Sequence, residues 1–214
     1  MIEIKNTEVL GWEAAIRGMR NPMNSWDKSD SYSTRIENKR TLNTAKFEFF
    51  VGENDLKLMK NLVKAGSDHS KFMRYIIVSC DIIAPLYWWK EYDTYKIGTV
   101  ANSCSTMHKI HEKPIGISDF SIDKLNCDVP DCFYDTLDCL NESREKFLET
   151  GDKKYWYRMI QLLPSSYNQM RTVILNYAVL RNMYHARKNH KLDEWRNGFC
   201  EWVEGLPYSE LITE

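Results

Sequence analysis

No uninterrupted apolar stretch in this 214-residue chain approaches the about 18 residues needed to cross a bilayer, so no membrane partner is expected. The opening MIEIKNTEVLGWEAAIRG lacks a basic region followed by an apolar run; no signal peptide is expected, and a cytoplasmic location is the default. Neither sign of charge dominates. With 29 basic and 30 acidic residues the net charge is -1, which argues against a nucleic-acid binder while leaving room for a local pocket for one nucleotide. No glycine-rich loop follows a predicted strand, so neither a dinucleotide fingerprint nor a P-loop is present. No C-x-x-C pair occurs among Cys80, Cys104, Cys127, Cys132, Cys139 and Cys200. Cys127 and Cys132 with His108 and His111 match no standard zinc spacing, so no metal centre is expected; free, mostly buried thiols are. Internal repeats and low-complexity tracts are also absent.

What is present is ordinary in bulk: 43% apolar and 28% charged residues, enough for one core, read as a single domain over residues 1-214. The aromatics stand out, with seven Trp, twelve Tyr and eight Phe. Such residues fill thick cores, and they equally serve subunit contacts and stacking ligands.

Residues 1-8 read as a strand, 11-20 as a helix stopped by Asn21-Pro22, and 23-43 as a long polar loop. A strand is expected over 44-51. A helix follows with Leu56, Leu58, Met59, Leu62 and Val63 in one stripe, closed by Gly66. Residues 72-84 read as a long central strand ended by Pro85, then a helix to about Tyr95. Residues 96-130 read mostly as loop, 131-150 and 155-163 as helices, and 192-205 as a last helix. The run 165-190, free of internal Pro and Gly, reads as one long helix. Strands early and helices late predict a mixed α+β fold, an antiparallel or mixed sheet packed with long C-terminal helices.

On that long helix Asn176 and Arg187 would stand about three turns apart, with Leu180 and Met183 between them and Asn182 at the edge of the face. Amide groups and a guanidinium beside an apolar ridge suit a flat, hydrogen-bonding ring. The same pattern suits a plain amphipathic helix with a wet margin or a subunit contact. His185 and His190 read as surface or locally bonded groups.

The run Leu163-Pro164, Asn176, Asn182, Arg187 resembles the C-terminal motif of flavin-dependent thymidylate synthases. The likeness extends back through the Lys64-Ala65-Gly66 helix end, His69, Phe72 and the strand closing at Ala84-Pro85. It covers about residues 55-205. The resemblance implies that Asn176 and Asn182 face a flavin and that Arg187 holds and polarises the pyrimidine of dUMP. It implies FAD reduced by NADPH, with methylenetetrahydrofolate as one-carbon donor, and a homotetramer sharing its sites between subunits. No cysteine nucleophile is implied.

The middle of the chain departs from that pattern. Where the family carries Arg-His-Arg followed by Ser, Asn-Glu, Ser and Arg-Tyr, this sequence reads Thr94-Tyr95-Lys96, Thr99, Ala101-Asn102, Cys104 and Thr106-Met107. Tyr95 and Lys96 would fall at the flavin, and Thr99, Asn102, Cys104 and Thr106 at the nucleotide. Lys cannot reproduce the planar fork of Arg. Glu91 replaces an amide near the nucleotide, and Arg158 falls close to a phosphate-binding arginine. The cluster Asn102, Ser103, Ser105, Thr106 and His108 offers neutral donors to a phosphate or sugar, and equally reads as a polar loop. The expected activity is reductive methylation of dUMP to dTMP. The alternatives are a related flavoenzyme on another pyrimidine nucleotide, or a non-catalytic homo-oligomeric protein on the same scaffold.

Overall fold

The computed structural model describes residues 2–36, 46–125 and 128–214. Its elements run β1 (Glu3–Leu10), α1 (Trp12–Arg20), β2 (Tyr32–Ile36), β3 (Lys46–Phe50), α2 (Glu53–Lys64), β4 (Ile77–Pro85), α3 (Leu86–Tyr92), β5 (Val100–Ser103) and α4 (Thr106–Lys109). There follow α5 (Asp131–Thr150), α6 (Lys153–Leu162), β6 (Asn168–Asn176), α7 (Tyr177–Arg187), a π-helical stretch (Glu194–Cys200), α8 (Glu201–Glu204) and α9 (Glu210–Thr213). The expected α+β class, with an antiparallel sheet and helices massed in the C-terminal half, is what the molecule has. Among the described residues no helix is long and apolar enough to cross a membrane.

The sheet has the order β1-β4-β6-β5, and every neighbour is antiparallel. β4 lies inside it because its residues alternate: Val78, Cys80, Ile82 and Ala84 are buried, while Ser79, Asp81 and Ile83 face the other way. β6 pairs with it from Ile77↔Asn176 to Pro85↔Asn168 and sends Val173 and Leu175 into the same core. That core is closed by α1, α2, α3, α7 and the π-helical stretch, with Trp88, Trp89, Tyr177, Trp195 and Phe199 fully buried. A second apolar cluster joins Ile110, Ile115 and Phe120 to Leu137 and Leu140 of α5 and Met159 of α6. Much of the aromatic surplus therefore serves packing.

Several expectations are corrected. Residues 165-190 are not one helix: 168–176 form β6 and only 177–187 are helical. Thr172-Val173-Ile174 are β-branched and Thr172 to Leu175 alternate in burial, a strand signal that a longer helical pattern around it obscured. The central strand begins at Ile77, because Lys71–Arg74 forms a 3-10 turn instead. That turn brings the Tyr75 carbonyl against Gly11, where a Cβ would lie 2.0 Å from the oxygen and φ is +93°, so this close approach requires glycine. The helix before residue 95 ends at Tyr92. The loop expected over 23-43 holds a 3-10 turn (Trp26–Lys28) and β2, with 37–43 outside the described residues. Residues 96-130 contain β5 and α4. Of the cysteines, Cys80 and Cys200 are buried, and burial pushes their thiols up to about 12 and about 11; Cys104 and Cys132 are exposed, against the expectation of mostly buried thiols. Cys127 lies outside the described residues.

Asn176 ends the strand and starts the helix. Its side-chain oxygen accepts a hydrogen bond from the Val179 amide at 3.0 Å, satisfying one of the donors that a helix N-terminus leaves open. Asn176→Ala is expected to cost about 1 kcal/mol, or about 2–4 °C in Tm for a chain of this size, checked by thermal melting. An unchanged Tm would remove the cap from the account.

Candidate functional site

The end of α3 and the turn after it are drawn tight by local bonds. The Glu91 carbonyl accepts from the Thr94 hydroxyl at 2.7 Å, and the Tyr95 carbonyl accepts from the Thr99 hydroxyl at 2.5 Å. The chain then passes over the start of α7 at Gly98, whose φ is +75°; a Cβ there would lie 2.9 Å from Val179 Cγ2 and 3.1 Å from Asn176 Nδ2. Only glycine allows so close a crossing. It places the 91–99 segment beside the C-terminal end of the same helix, where Arg187 sits.

Arg187 is the centre of the cluster. Its Nε donates to the Tyr95 hydroxyl at 2.8 Å, and its Nη1 pairs with Glu91 Oε2 at 2.8 Å. Its guanidinium carbon stands 4.9 Å from the centroid of the Trp195 ring, a cation–π arrangement that replaces lost hydration on that side. The Arg187 side chain is only 13% exposed, against 43% for Glu91, so the pair lies at the surface edge of the core with the carboxylate outward. Trp195 is itself fixed by Trp88 (centroids 4.5 Å apart) and Phe199 (5.1 Å). Behind this floor Tyr87 donates to Glu194, and burial together with that carboxylate raises the Tyr87 hydroxyl well above its ordinary pKa.

Sequence reasoning named Arg187, Glu91 and Tyr95, and the structure brings these three together. It missed Trp195. The π-helical winding of Glu194–Cys200 carries an extra residue per turn, and a search for 3.6-residue periodicity does not register the face it presents. The other named residues are dispersed. Thr99 braces the turn through its hydroxyl. Asn176 caps the N-terminus of α7, about three turns from Arg187 at the helix's other end, and its side-chain oxygen is taken up by the Val179 amide. Asn182 is exposed and lies five residues from Arg187, about 140° around the helix, so the two do not share a face. Lys96 is exposed. Asn102 is an exposed position of β5 opposite Thr172, on the sheet's open face. Cys104 contributes backbone, its amide bonding the Met170 carbonyl at 2.9 Å. The Thr106 hydroxyl accepts from Gln169 at 3.0 Å. Arg158 is an exposed residue of α6, its Nη2 3.9 Å from the Cys139 sulfur.

A flavin dinucleotide needs a seat for its ring and cationic or N–H donors for its diphosphate. Arg187 and Tyr95 offer polar groups to a planar heterocycle, while Trp195 is fully buried beneath the guanidinium; the nearby arginines are not free for a diphosphate. Arg171 is engaged with Asp93 at 2.8 Å, Lys109 with Glu112, and Arg181 with the carbonyls of Leu211, Ile212 and Glu214. Lys96 and, beside the cluster, Lys90, Lys188 and Lys191 are exposed.

No protein-family model matches the sequence, and no curated protein does. Solved structures do match over the full chain. Thymidylate synthase X from Helicobacter pylori, solved with FAD and dUMP, superposes at a TM-score of 0.71 with 15% identity, covering 100% of this chain and 97% of that one. A second structure of that flavin-dependent enzyme, also complexed with FAD and dUMP, gives 0.71 and 16% over 98% and 97%. A UMP/dUMP methylase from Streptomyces cacaoi, bound with 5-Br UMP, gives 0.63 and 11% over 100% and 94%. The chain has the fold of the flavin-dependent thymidylate synthases from end to end.

Proposed function

We propose that this chain binds a pyrimidine nucleotide at Arg187 and acts as a flavin-dependent enzyme on its base. The observation that carries the reading is the guanidinium held by Tyr95 and Glu91 over the Trp195 ring, on a fold otherwise known here from proteins solved with pyrimidine nucleotides. Arg187 keeps N–H donors for a base carbonyl, and a cation on that oxygen draws electron density from the ring. Trp195 fixes the plane in which the guanidinium presents them. Tyr95 and Glu91 prevent it from swinging, so little reorganisation accompanies binding.

The finer reading is reductive methylation of dUMP to dTMP, with methylenetetrahydrofolate as carbon donor and NADPH as reductant. Bound FAD would supply the redox chemistry. The arginines nearest the cluster, Arg171 and Arg181, are already engaged within one chain; further donors for the diphosphate would come from other copies, and a homotetramer is part of the proposal. The test is the visible spectrum of the purified protein after incubation with FAD and removal of free ligand. A retained flavin band near ~450 nm is expected, followed by dTMP formation. An oligomeric, folded protein that keeps no flavin would instead favour a non-catalytic role on this scaffold.

A further inference from the structure

We propose that Glu91 makes the Arg187 site select a pyrimidine that carries an exocyclic amino group, a cytosine nucleotide over a uracil nucleotide. This rests on the reading of Arg187 as the base-binding group, and takes the alternative in which the enzyme acts on a pyrimidine nucleotide other than dUMP. Three of the pair's polar positions are occupied: Arg187 Nε by the Tyr95 hydroxyl, and Arg187 Nη1 and Glu91 Oε2 by each other. Arg187 Nη2 and Glu91 Oε1 have no partner among the described residues, and the Glu91 side chain is 43% exposed. The site therefore presents N–H donors next to an anionic oxygen that only accepts.

The two bases differ at that junction. Uracil offers O2, N3–H and O4, in the order acceptor, donor, acceptor. Cytosine offers O2, N3 and the N4 amino group, in the order acceptor, acceptor, donor. With the free Arg187 donors on O2 and N3 of cytosine, the carboxylate meets the amino group and takes a hydrogen bond from it, the pairing by which Glu and Asp read cytosine elsewhere. Uracil in the same pose turns O4 towards the carboxylate, lone pair to lone pair, and its N3–H towards a guanidinium that has nothing to accept with. Shifting uracil so that the carboxylate takes N3–H still leaves O4 beside an anion. An amide at position 91 would be indifferent, since it can rotate to donate or accept; a carboxylate cannot. The ion pair holds that carboxylate in place, so the discrimination is built into the side chain that also orients Arg187.

Calorimetric titration of the intact, flavin-incubated protein with dCMP and with dUMP tests this, alongside Glu91→Gln and Arg187→Ala, each confirmed folded by its thermal transition. The expected result is dCMP bound about 10- to 100-fold more tightly than dUMP, with Glu91→Gln collapsing or reversing that ratio and Arg187→Ala weakening both ligands. Should dUMP bind as well as or better than dCMP while Arg187→Ala weakens both, the selectivity is overturned and the base site stands. Binding of neither nucleotide, or binding indifferent to Arg187→Ala, overturns the site and the selectivity together. Glu91→Ala is the second variant should Glu91→Gln fold poorly, with the same loss of ratio expected.

Discussion

Replacing Asp55 by alanine is expected to destabilise the protein by about 3–5 kcal/mol, the range for breaking a buried ion pair from one side. The Asp55 side chain is wholly buried and that of Arg20 is 5% exposed, with Nε and Oδ1 2.6 Å apart. The other carboxylate oxygen accepts from the hydroxyls of Ser29 and Ser31, each at 2.6 Å, and from the backbone amides of Asp30 and Ser31 at 3.2 Å. Arg20 in turn donates to the Ser25 and Lys28 carbonyls at 3.1 and 3.0 Å. One ion pair thus ties the end of α1, the irregular 25–31 segment and the first turn of α2 together. Without the carboxylate, Arg20 keeps its charge inside the core with only carbonyls to meet it. The loss would be read as a lowered urea midpoint, and a change below about 1 kcal/mol would show that the network contributes little beyond an ordinary hydrogen bond.

The same residue sets a pH dependence. Burial pushes the Asp55 carboxyl upward, but hydrogen bonds from Ser29, Ser31 and Arg20 together overcome it and hold the group below its ordinary value. A depressed folded pKa means that the stabilisation is complete above the unfolded value of about 3.9 and is lost as pH falls through the folded pKa. Denaturation series taken downward from about pH 5 should therefore show wild type losing stability below about pH 4, while Asp55→Asn, with no proton to gain there, declines less.

The second large effect concerns Arg187. Arg187→Ala is expected to weaken pyrimidine-nucleotide binding by about 10- to 100-fold, as loss of hydrogen bonds from a charged group does, with a much smaller change in stability because Glu91 is freed into solvent. Arg187→Lys should rescue little. A single ammonium cannot reproduce the planar fork that bonds the Tyr95 hydroxyl and Glu91 at once over the Trp195 ring. Both variants can be titrated with the same nucleotide; a lysine variant that binds like wild type would mean that charge alone, and not the planar fork, holds the ligand.

How far the sequence reached differs by element. The stripe of α2, the extent of α5 and the alternation of β4 were legible because each is a local pattern written in the residues that adopt it. The stretch 165-190 was not. Its apolar residues satisfy a helical period and an alternating one, and the choice falls to β4, some ninety positions away, whose unpaired edge makes a strand of 168–176. Among site residues, Arg187, Glu91 and Tyr95 stood out through the resemblance, but nothing local announced that Glu91 and Arg187, 96 positions apart, bond each other.

By itself the sequence determined the class of fold and the strands and helices with strong local periods, and through the resemblance it singled out the arginine of the proposed site. Only the tertiary structure decided that this arginine is already paired with a carboxylate, that a tryptophan in a π-helical turn lies beneath it, and that Asn176 is a helix cap while Asn182 and Arg158 stand away from it. The reason is physical. A helix or strand period is set by neighbours along the chain, whereas hydrogen-bond partners, stacking and charge neutralisation are set by which distant segments the core brings together.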